Sequence, residues 1–302
     1  MKKMALILSV ILVLPIVIFA ETYWGGELPS INDTKLKGEV LLADDIYTYT
    51  YSISSGNTNT GHIWIFNLDV KKPENGIDLS GEGLLNGPGY LRHTSAQILS
   101  EPTTPKMIPV GLFSPPNWNS GLTILGHVSW GANDNEFMIL HGHSLSGFQM
   151  TSRGLPGLRD FIIRPDLIPP PEESDITHEQ IKEVKDKVAF KGKTLGPTAP
   201  PADFKPVDFL NYIINMKHEA FSLGWITNKG IENSLDAKLD NAKKKIERDN
   251  VQAAQNILNA FINEVEAQGC ERFENCPPGK HLTTEAYALL FYNVKYLIGQ
   301  LK

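Results

Sequence analysis

Cysteine is scarce in this chain of 302 residues, which contains only Cys270 and Cys276. The pair cannot supply the four ligands of a structural zinc site. With His281 as a third ligand, a fourth is still missing. The two cysteines are also farther apart in sequence than is usual for paired zinc ligands. In an oxidising compartment, two cysteines in one short connection between helical segments favour a disulfide. The sequence therefore predicts that they are bonded to each other.

Positive charge is also in short supply, because 28 lysines and arginines face 34 aspartates and glutamates, for a net charge of −6. The one dense basic run, at 243–245, lies in a helical pattern, where a solvated helix face accounts for it. A surface that binds phosphates along a nucleic acid needs clustered cations. Nucleic acid is therefore not an expected partner. The chain also lacks a phosphate-binding P-loop, and no cofactor is expected.

Long apolar runs are missing after the first twenty residues. Residues 1–20 begin with two lysines near the start, continue as an apolar run to Phe19 and end on the small residue Ala20, a pattern typical of a secretory leader. The run contains Pro15 and is shorter than the ~20 residues of a spanning helix. We predict a cleaved signal peptide over 1–20, and a mature protein that is secreted or held in the cell envelope or periplasm, with no membrane span.

Proline is unevenly distributed, and this divides the rest of the chain. Eight of the 20 prolines lie within 165–206, whereas 207–302 contains only one adjacent pair. Because proline fixes φ and removes a backbone donor, the first stretch is typical of a linker and the second permits long helices. Within the linker, the capping-box spacing of Thr177 and Gln180 predicts a short helix near 177–188.

The region before the linker, residues 21–164, has an apolar pattern with a period of two. Tyrosines alternate with threonine and serine in 47–52, and the run 62–70 alternates in the same way. Its apolar side is formed by Trp64, Phe66, Leu68 and Val70. Several such runs, separated by turn residues and without helical segments between them, favour an antiparallel β-sandwich of the Ig-like kind.

In residues 207–302 the apolar period becomes helical. Apolar side chains recur at intervals of three and four residues, as in 209–223 and 251–265. This pattern predicts four amphipathic helices joined by short loops, which is typical of a small four-helix bundle. The expected architecture is therefore multidomain, with an all-β part followed by an all-α part.

Three blocks in the last region carry a resemblance to a known family. Gly224-Trp225-Ile226, residues 234–239 and residues 260–265 together resemble the FIMAH domain, a helical module at the C-termini of many secreted bacterial proteins. The chain departs from the common pattern by the insertion 270–278 before its last helix. The resemblance, which covers 207–302, implies an accessory or binding module with no catalytic residue to carry over.

The first half carries a second resemblance. Its blocks Pro115-Pro116-Asn117-Trp118 and Ser144 to Phe148 are similar to segments of uncharacterised secreted bacterial β-sandwich proteins. This resemblance implies no activity.

The turn from His141 to Ser144 is a candidate for hydrolytic chemistry. It resembles a nucleophile elbow, but Ser146 replaces the second glycine of G-x-S-x-G and no βαβ frame surrounds it. The imidazoles of His141 and His143, with His127 as a third ligand, offer a metal-dependent alternative. Turn histidines that only form hydrogen bonds are the simpler interpretation of the same residues.

Aromatic side chains are the remaining candidates for a binding site. Tyr47, Tyr49 and Tyr51 on one strand face, or Trp118 in a loop with proline and asparagine, could form a platform for sugar rings or a partner protein. Aromatic faces supply apolar contact at little entropic cost. For the tyrosines, packing between the sheets is the alternative.

Together these patterns predict a secreted, non-enzymatic protein that binds a polysaccharide or an extracellular protein. Two alternatives remain open at this stage. One is an extracellular hydrolase, dependent on serine or on a metal, that uses the turn from His141 to Ser144. The other is a structural or adhesive component of the cell envelope.

Overall fold

The computed structural model describes residues 27–70, 97–99, 110–123, 127–167, 176–201 and 203–302. These residues form two antiparallel five-stranded sheets and five α-helices. The predicted signal peptide, 1–20, lies outside them. No helix within the described ranges has both the length and the apolar character needed to cross a membrane.

The first sheet begins with a long hairpin. Its strands are β1 (Thr34–Ala43), β2 (Ile46–Ser55), β4 (Gln97–Leu99), β5 (Val110–Phe113) and β8 (Ser144–Ser152), in the order β1-β2-β8-β5-β4. The turn residues between β1 and β2, Asp44 and Asp45, have φ values of 50° and 61°. Aspartate tolerates this left-handed region, and positive φ at both positions matches the twist of a two-residue hairpin.

The second sheet contains a strand that the sequence did not predict. Its strands are β3 (Ile63–Asp69), β6 (Trp118–Leu122), β7 (His127–Ala132), β9 (Leu155–Pro165) and β10 (Phe190–Thr198), in the order β10-β9-β3-β7-β6. β10 pairs with β9 along its whole length. The stretch 165–206 is therefore not a linker throughout. Pro197 is tolerated in β10 because this is an edge strand, where one side needs no ladder donor.

The short helix predicted in the same stretch is confirmed. It is α1 (His178–Lys187), and both hydrogen bonds of the capping box between Thr177 and Gln180 are present. In the sequence, the helix lies between β9 and β10, which are neighbouring strands of the second sheet.

Aromatic side chains of the two sheets contact each other and form much of the core. The Tyr51 ring of β2 lies edge-on to the Phe66 ring of β3, with centroids 5.4 Å apart. The Trp118 ring of β6 contacts the Phe148 ring of β8 in the same way at 5.0 Å. All four side chains are buried. The inner faces of both sheets therefore share one apolar interior.

The predicted helical C-terminal region is also present. It contains α2 (Pro206–Ser222), α3 (Lys229–Ile246), α4 (Val251–Gln268) and α5 (Thr284–Gln300). The last three each have an N-cap residue whose side chain accepts hydrogen bonds from the first helical turn. These residues are Asn228, Asn250 and Thr283. Such caps satisfy backbone donors that have no partner inside the helix.

Helix α5 packs directly against the first sheet. The backbone N–H of Gly38 in β1 donates to Glu285 Oε1 at 2.7 Å, and the Thr284 hydroxyl donates to the Gly38 carbonyl at 2.8 Å. The Tyr292 hydroxyl donates to the Val40 carbonyl at 3.3 Å. Because β1 is an edge strand, these side chains provide partners for its outward backbone groups. The helices are thus attached to the sheets by buried contacts as well as by the chain.

The loop between α4 and α5 makes a further contact with β1. Cys270 and Cys276 form a disulfide within this loop, which confirms the prediction. Between them, the backbone N–H of Phe273 donates to Glu39 Oε2 at 2.9 Å. Burial raises the pKa of Glu39, although this hydrogen bond lowers it.

Candidate functional site

A cleft of about 610 Å³ lies between α1 and the ends of β3 and β9. Its apolar lining consists of Trp64, Ile65, Pro165, Leu167, Ile181 and Val188. The polar residues described in its lining are Arg164, Asp166, His178 and Lys185. A mostly apolar cleft of this size with a few polar groups is typical of a small-ligand site. Residues 168–175, which connect its two walls, lie outside the described residues.

A β-bulge in β3 places Trp64 in the cleft. Arg164 and Pro165 are successive residues of β9, but their partners on β3 are Ile65 and Ile63, so Trp64 is an extra residue. In a regular strand, neighbouring side chains point to opposite faces. Here the bulge allows Trp64 and Ile65 to line the cleft together, while Ile63 is fully buried. Bulges often redirect a side chain in this way beside functional sites.

The Trp64 ring is both exposed and held in place. Trp64 is 38% exposed, although the preceding residue of the strand, Ile63, is fully buried. The indole Nε1–H donates to the Ala132 carbonyl at 3.1 Å, which fixes the orientation of the ring. A fixed aromatic face can bind an apolar surface without losing side-chain freedom. The prediction that Trp64 shares a buried side with Phe66 is therefore wrong, because the bulge interrupts the period of two.

Among the lining residues that the structure describes, Arg164 and Lys185 outnumber the one carboxylate, that of Asp166. Arg164 Nη2 lies 3.6 Å from Asp186 Oδ1. The same carboxylate oxygen lies 3.3 Å from Lys191 Nζ, so it is shared by two cations. The Nε of Arg164 is buried and has no hydrogen-bond partner among the described residues. Its guanidinium is thus incompletely paired within that part of the chain.

A second, smaller cavity extends the cleft. Its volume is about 240 Å³, and it shares Asp166 and Leu167 with the larger one. Its other lining residues include Glu27 and His62. The two cavities therefore form neighbouring sites along the end of β9. Together they have room for more than one unit of an extended ligand.

The aromatic residues predicted as a binding platform lie elsewhere. Trp118 is only 1% exposed, and its Nε1–H donates to the Phe137 carbonyl at 3.0 Å. Its ring is part of the core between the sheets and cannot contact a ligand in this conformation. The sequence-based expectation of an exposed aromatic surface at Trp118 is therefore wrong.

The three tyrosines are core residues, as the alternative interpretation had it. Tyr49 and Tyr51 have no exposed surface, and Tyr47 is 9% exposed. The Tyr51 hydroxyl donates to the Leu195 carbonyl of β10 at 2.8 Å, which links the two sheets. The Tyr47 ring lies edge-on to that of Tyr292 in α5, and burial raises the pKa of Tyr47 to about 12.

The three candidate histidines are not brought together as metal ligands. His127 Nε2 lies 3.7 Å from Asp69 Oδ2. His143 Nδ1 lies 3.0 Å from the backbone carbonyl of His141, whose ring is stacked against that of His62. Within the described ranges, the one group of three side chains with metal-ligating atoms close together lies in the helical region and contains none of these candidates.

Ser144 makes a contact that does not suit a nucleophile. Its hydroxyl donates to Ser54 Oγ at 2.8 Å, across the pair formed by β2 and β8. Ser146 makes the same contact with Ser52. A nucleophilic serine needs its proton directed at a base. In this structure the hydroxyls instead form a polar ladder on the outer face of the first sheet.

The group in the helical region is a buried ion-pair network. Ligating atoms of His218, Glu232 and Asp236 lie within 4.8 Å of one another. However, the fully buried Lys217 places its Nζ 2.6 Å from both Glu232 Oε1 and Asp236 Oδ1. Burial raises the pKa of Glu232, but hydrogen bonds from Lys217 and Lys229 outweigh this and lower it to about 2. The lysine ammonium thus occupies the position that a metal would need.

Sequence reasoning missed the cleft, although one signal for Trp64 was present. The run Ile63-Trp64-Ile65-Phe66 has four apolar residues in succession, which breaks strict alternation and is compatible with a bulge. Nothing comparable marks Arg164 or Lys185. They belong to different elements, β9 and α1, and meet only in the folded chain.

Comparison with protein-family models gives no match, and comparison with curated proteins finds no similar sequence. The resemblance of residues 207–302 to the FIMAH domain therefore stays a prediction.

Proposed function

We propose that this chain is a secreted, non-enzymatic binding protein that recognises a polysaccharide in the cleft beside Trp64. The observation that carries the proposal is the exposed indole ring, oriented by its hydrogen bond to Ala132 and facing a cavity of about 610 Å³. Pyranose rings have an apolar C–H face that packs on an aromatic ring. Their hydroxyls form hydrogen bonds with charged and polar side chains at the edge of such a site.

The surroundings of Trp64 supply those polar groups. Arg164, Lys185 and His178 carry donors, and Asp166 carries an acceptor. The adjoining cavity of about 240 Å³ adds Glu27 and His62, so a chain of sugars has a path beyond the first unit. A polymer that follows this path would contact several subsites in succession. This extended shape favours a polysaccharide over a globular partner protein.

The fold that we propose for this function is an Ig-like β-sandwich joined to a small four-helix, FIMAH-like module. Ring contacts between the inner faces of the two sheets support the first part. The second is supported by the four consecutive helices in 206–300 and by the resemblance of their sequence. Secretion is supported by the leader-like residues 1–20 and by the disulfide. Recovery of exported protein that begins at Glu21 would test it.

Binding of the intact protein to a panel of neutral and acidic polysaccharides tests the role of the cleft. We expect Trp64→Ala to weaken binding to the best ligand at least about tenfold, because most of the apolar contact is lost. Trp64→Phe should retain part of the affinity. Leu42→Ala is the matched control, since Leu42 is 43% exposed at a hairpin end outside the cleft.

Three results would contradict the proposal. Equal affinities for the Trp64→Ala variant and the unmodified protein would show that the ligand binds elsewhere. Release of new reducing ends from the bound polysaccharide, abolished by Ser144→Ala, would favour the hydrolase alternative. Absence of binding to every polysaccharide in the panel would overturn the proposal as a whole.

A further inference from the structure

We infer that the polysaccharide bound beside Trp64 is acidic, and that its uronate carboxylates are recognised by Arg164 and Lys185. This inference rests on the proposed function and specifies its ligand. Both cations line the same cleft as the indole ring. A uronate presents an apolar ring face and a carboxylate on one sugar unit, which matches an aromatic platform with neighbouring cations.

The first step of the argument is the state of the Arg164 guanidinium. Its contact with Asp186 is an ion pair of 3.6 Å, which is longer than a charge-assisted hydrogen bond. That carboxylate is also closer to Lys191, at 3.3 Å. Among the described residues, Arg164 makes no side-chain hydrogen bond, and its side chain is 28% exposed. Because Nε is buried, a ligand carboxylate would bind the exposed part of the guanidinium, whose planar donors match the two carboxylate oxygens.

The second step is the charge of the residues described around the larger cleft. Lys185 is exposed in the last turn of α1, and no ion pair of its ammonium is found in the described part of the chain. With Arg164, it gives two cations against the one carboxylate of Asp166 among the described residues that line the cleft. This excess stands out because the protein as a whole has a net charge of −6. The protein as a whole is therefore not expected to attract polyanions, whereas the cleft is expected to bind an acidic group.

The third step is why a carboxylate on a sugar is favoured over a small anion. The cleft is mostly apolar, and a free inorganic anion would leave the Trp64 face and the Ile181 side chain without contacts. A sugar acid fills the apolar part with its ring and directs its charge to the cationic wall. One ligand with an apolar ring and a carboxylate therefore accounts for both the apolar and the cationic residues of the cleft.

The experiment compares two polymers with the same sugar backbone, one with charged carboxylates and one with neutral methyl esters. Binding of the intact protein to polygalacturonate and to its fully methyl-esterified form is measured by titration calorimetry. We expect the acidic form to bind at least about tenfold more tightly, because esterification removes the charge-assisted contacts. Lys185→Gln and Arg164→Gln should each reduce this ratio, and Arg164→Lys should retain part of it because the charge remains. Lys244→Gln, an exposed change in α3 outside the cleft, is the charge-matched control.

Each outcome has one meaning. Equal binding of both polymers, with loss of affinity in Trp64→Ala, overturns the acidic ligand but leaves the polysaccharide site in place. A reduction by Lys244→Gln as large as that by Lys185→Gln also overturns it, because the attraction would then come from overall charge. If only a neutral polysaccharide binds, and Trp64→Ala weakens that binding, the acidic ligand is likewise overturned and the polysaccharide site is kept. Absence of binding to any polysaccharide overturns both proposals.

Discussion

Two groups of cations in this protein have opposite surroundings. In the helical region, Lys217 is fully buried and lies 2.6 Å from each of two carboxylates. In the cleft, Arg164 is 28% exposed and shares a single carboxylate with a second cation, at 3.6 Å. The first group has all the partners that a buried charge needs. The second has fewer partners than its charge requires, and it borders an open cavity.

The comparison shows how the same residue types serve different purposes. A buried charge must be paired, because an unpaired one carries a large desolvation cost. A partly exposed cation remains hydrated and can exchange that water for a ligand. The pairing of Lys217 meets the requirement of a buried charge, whereas the incomplete pairing of Arg164 is compatible with the ligand contact proposed above. The predictions below separate these two roles by measuring stability and affinity for the same variants.

The largest effect is expected from Lys217→Met. The substitution removes the buried cation that pairs with both Glu232 and Asp236, although Lys229 stays 2.5 Å from Glu232 Oε2. Breaking a buried pair costs about 3–5 kcal/mol of unfolding free energy. Urea unfolding followed by circular dichroism measures it. Lys238→Met is the control, because its pair with Glu264 is also 2.6 Å long but the lysine is 29% exposed. A cost for Lys217→Met no greater than that of the control would remove the distinction.

A substantial loss of stability is expected in acid. The folded protein lowers the pKa of Glu232 from 4.5 to about 2, so the ionised form is favoured by folding. Its contribution is fully present above pH 4.5 and is lost as the pH falls towards 2. Unfolding free energies measured across this range should decline more steeply in the unmodified protein than in Glu232→Gln. Parallel declines in both proteins would show that other carboxylates are responsible.

A smaller effect on stability is expected from Arg164→Gln. Its ion pair with Asp186 is long and partly exposed, and such pairs contribute about 0–1 kcal/mol. Asp186 also keeps Lys191 as a partner. The melting temperature should therefore change little, while affinity for the acidic polymer falls. A destabilisation approaching that of Lys217→Met would place Arg164 in the same class as the buried lysine.

The smallest effect on stability is expected from Lys185→Gln. The side chain is exposed on α1, and surface substitutions of this kind usually change stability by less than about 0.5 kcal/mol. Thermal unfolding of the variant and the unmodified protein should coincide. A clear decrease in melting temperature would mean that Lys185 supports α1 itself, and its effect on binding would then be indirect.

The features that local patterns specify could be predicted from the sequence. The capping box of Thr177 and Gln180 fixed the start of α1, because both of its hydrogen bonds form within one turn. The pairing of Cys270 and Cys276 followed from their proximity in one loop. The helical period of 207–302 indicated helices correctly, since one apolar stripe per helix is visible without knowing its partner.

The features that depend on pairing between distant strands could not be predicted. The position of Trp64 depends on how β3 aligns with β9, which lies about a hundred residues later in the sequence. β10 was hidden because its lysines, glycines and proline have low β propensity. It becomes a strand through its ladder with β9. The cleft combines both difficulties, because its walls come from β3, β9 and α1.

The contact between α5 and β1 has a consequence for dividing the chain. Glu285 accepts a hydrogen bond from the Gly38 amide, and Thr284 donates one to the Gly38 carbonyl. In an uncovered edge strand, these backbone groups could pair with an extended peptide. Cleavage within 199–205 and removal of the helices would expose this edge of β1. The remaining sheets would then be able to recruit the same strand of another copy and assemble into larger aggregates. The C-terminal helix therefore covers an edge strand that could otherwise pair with another chain.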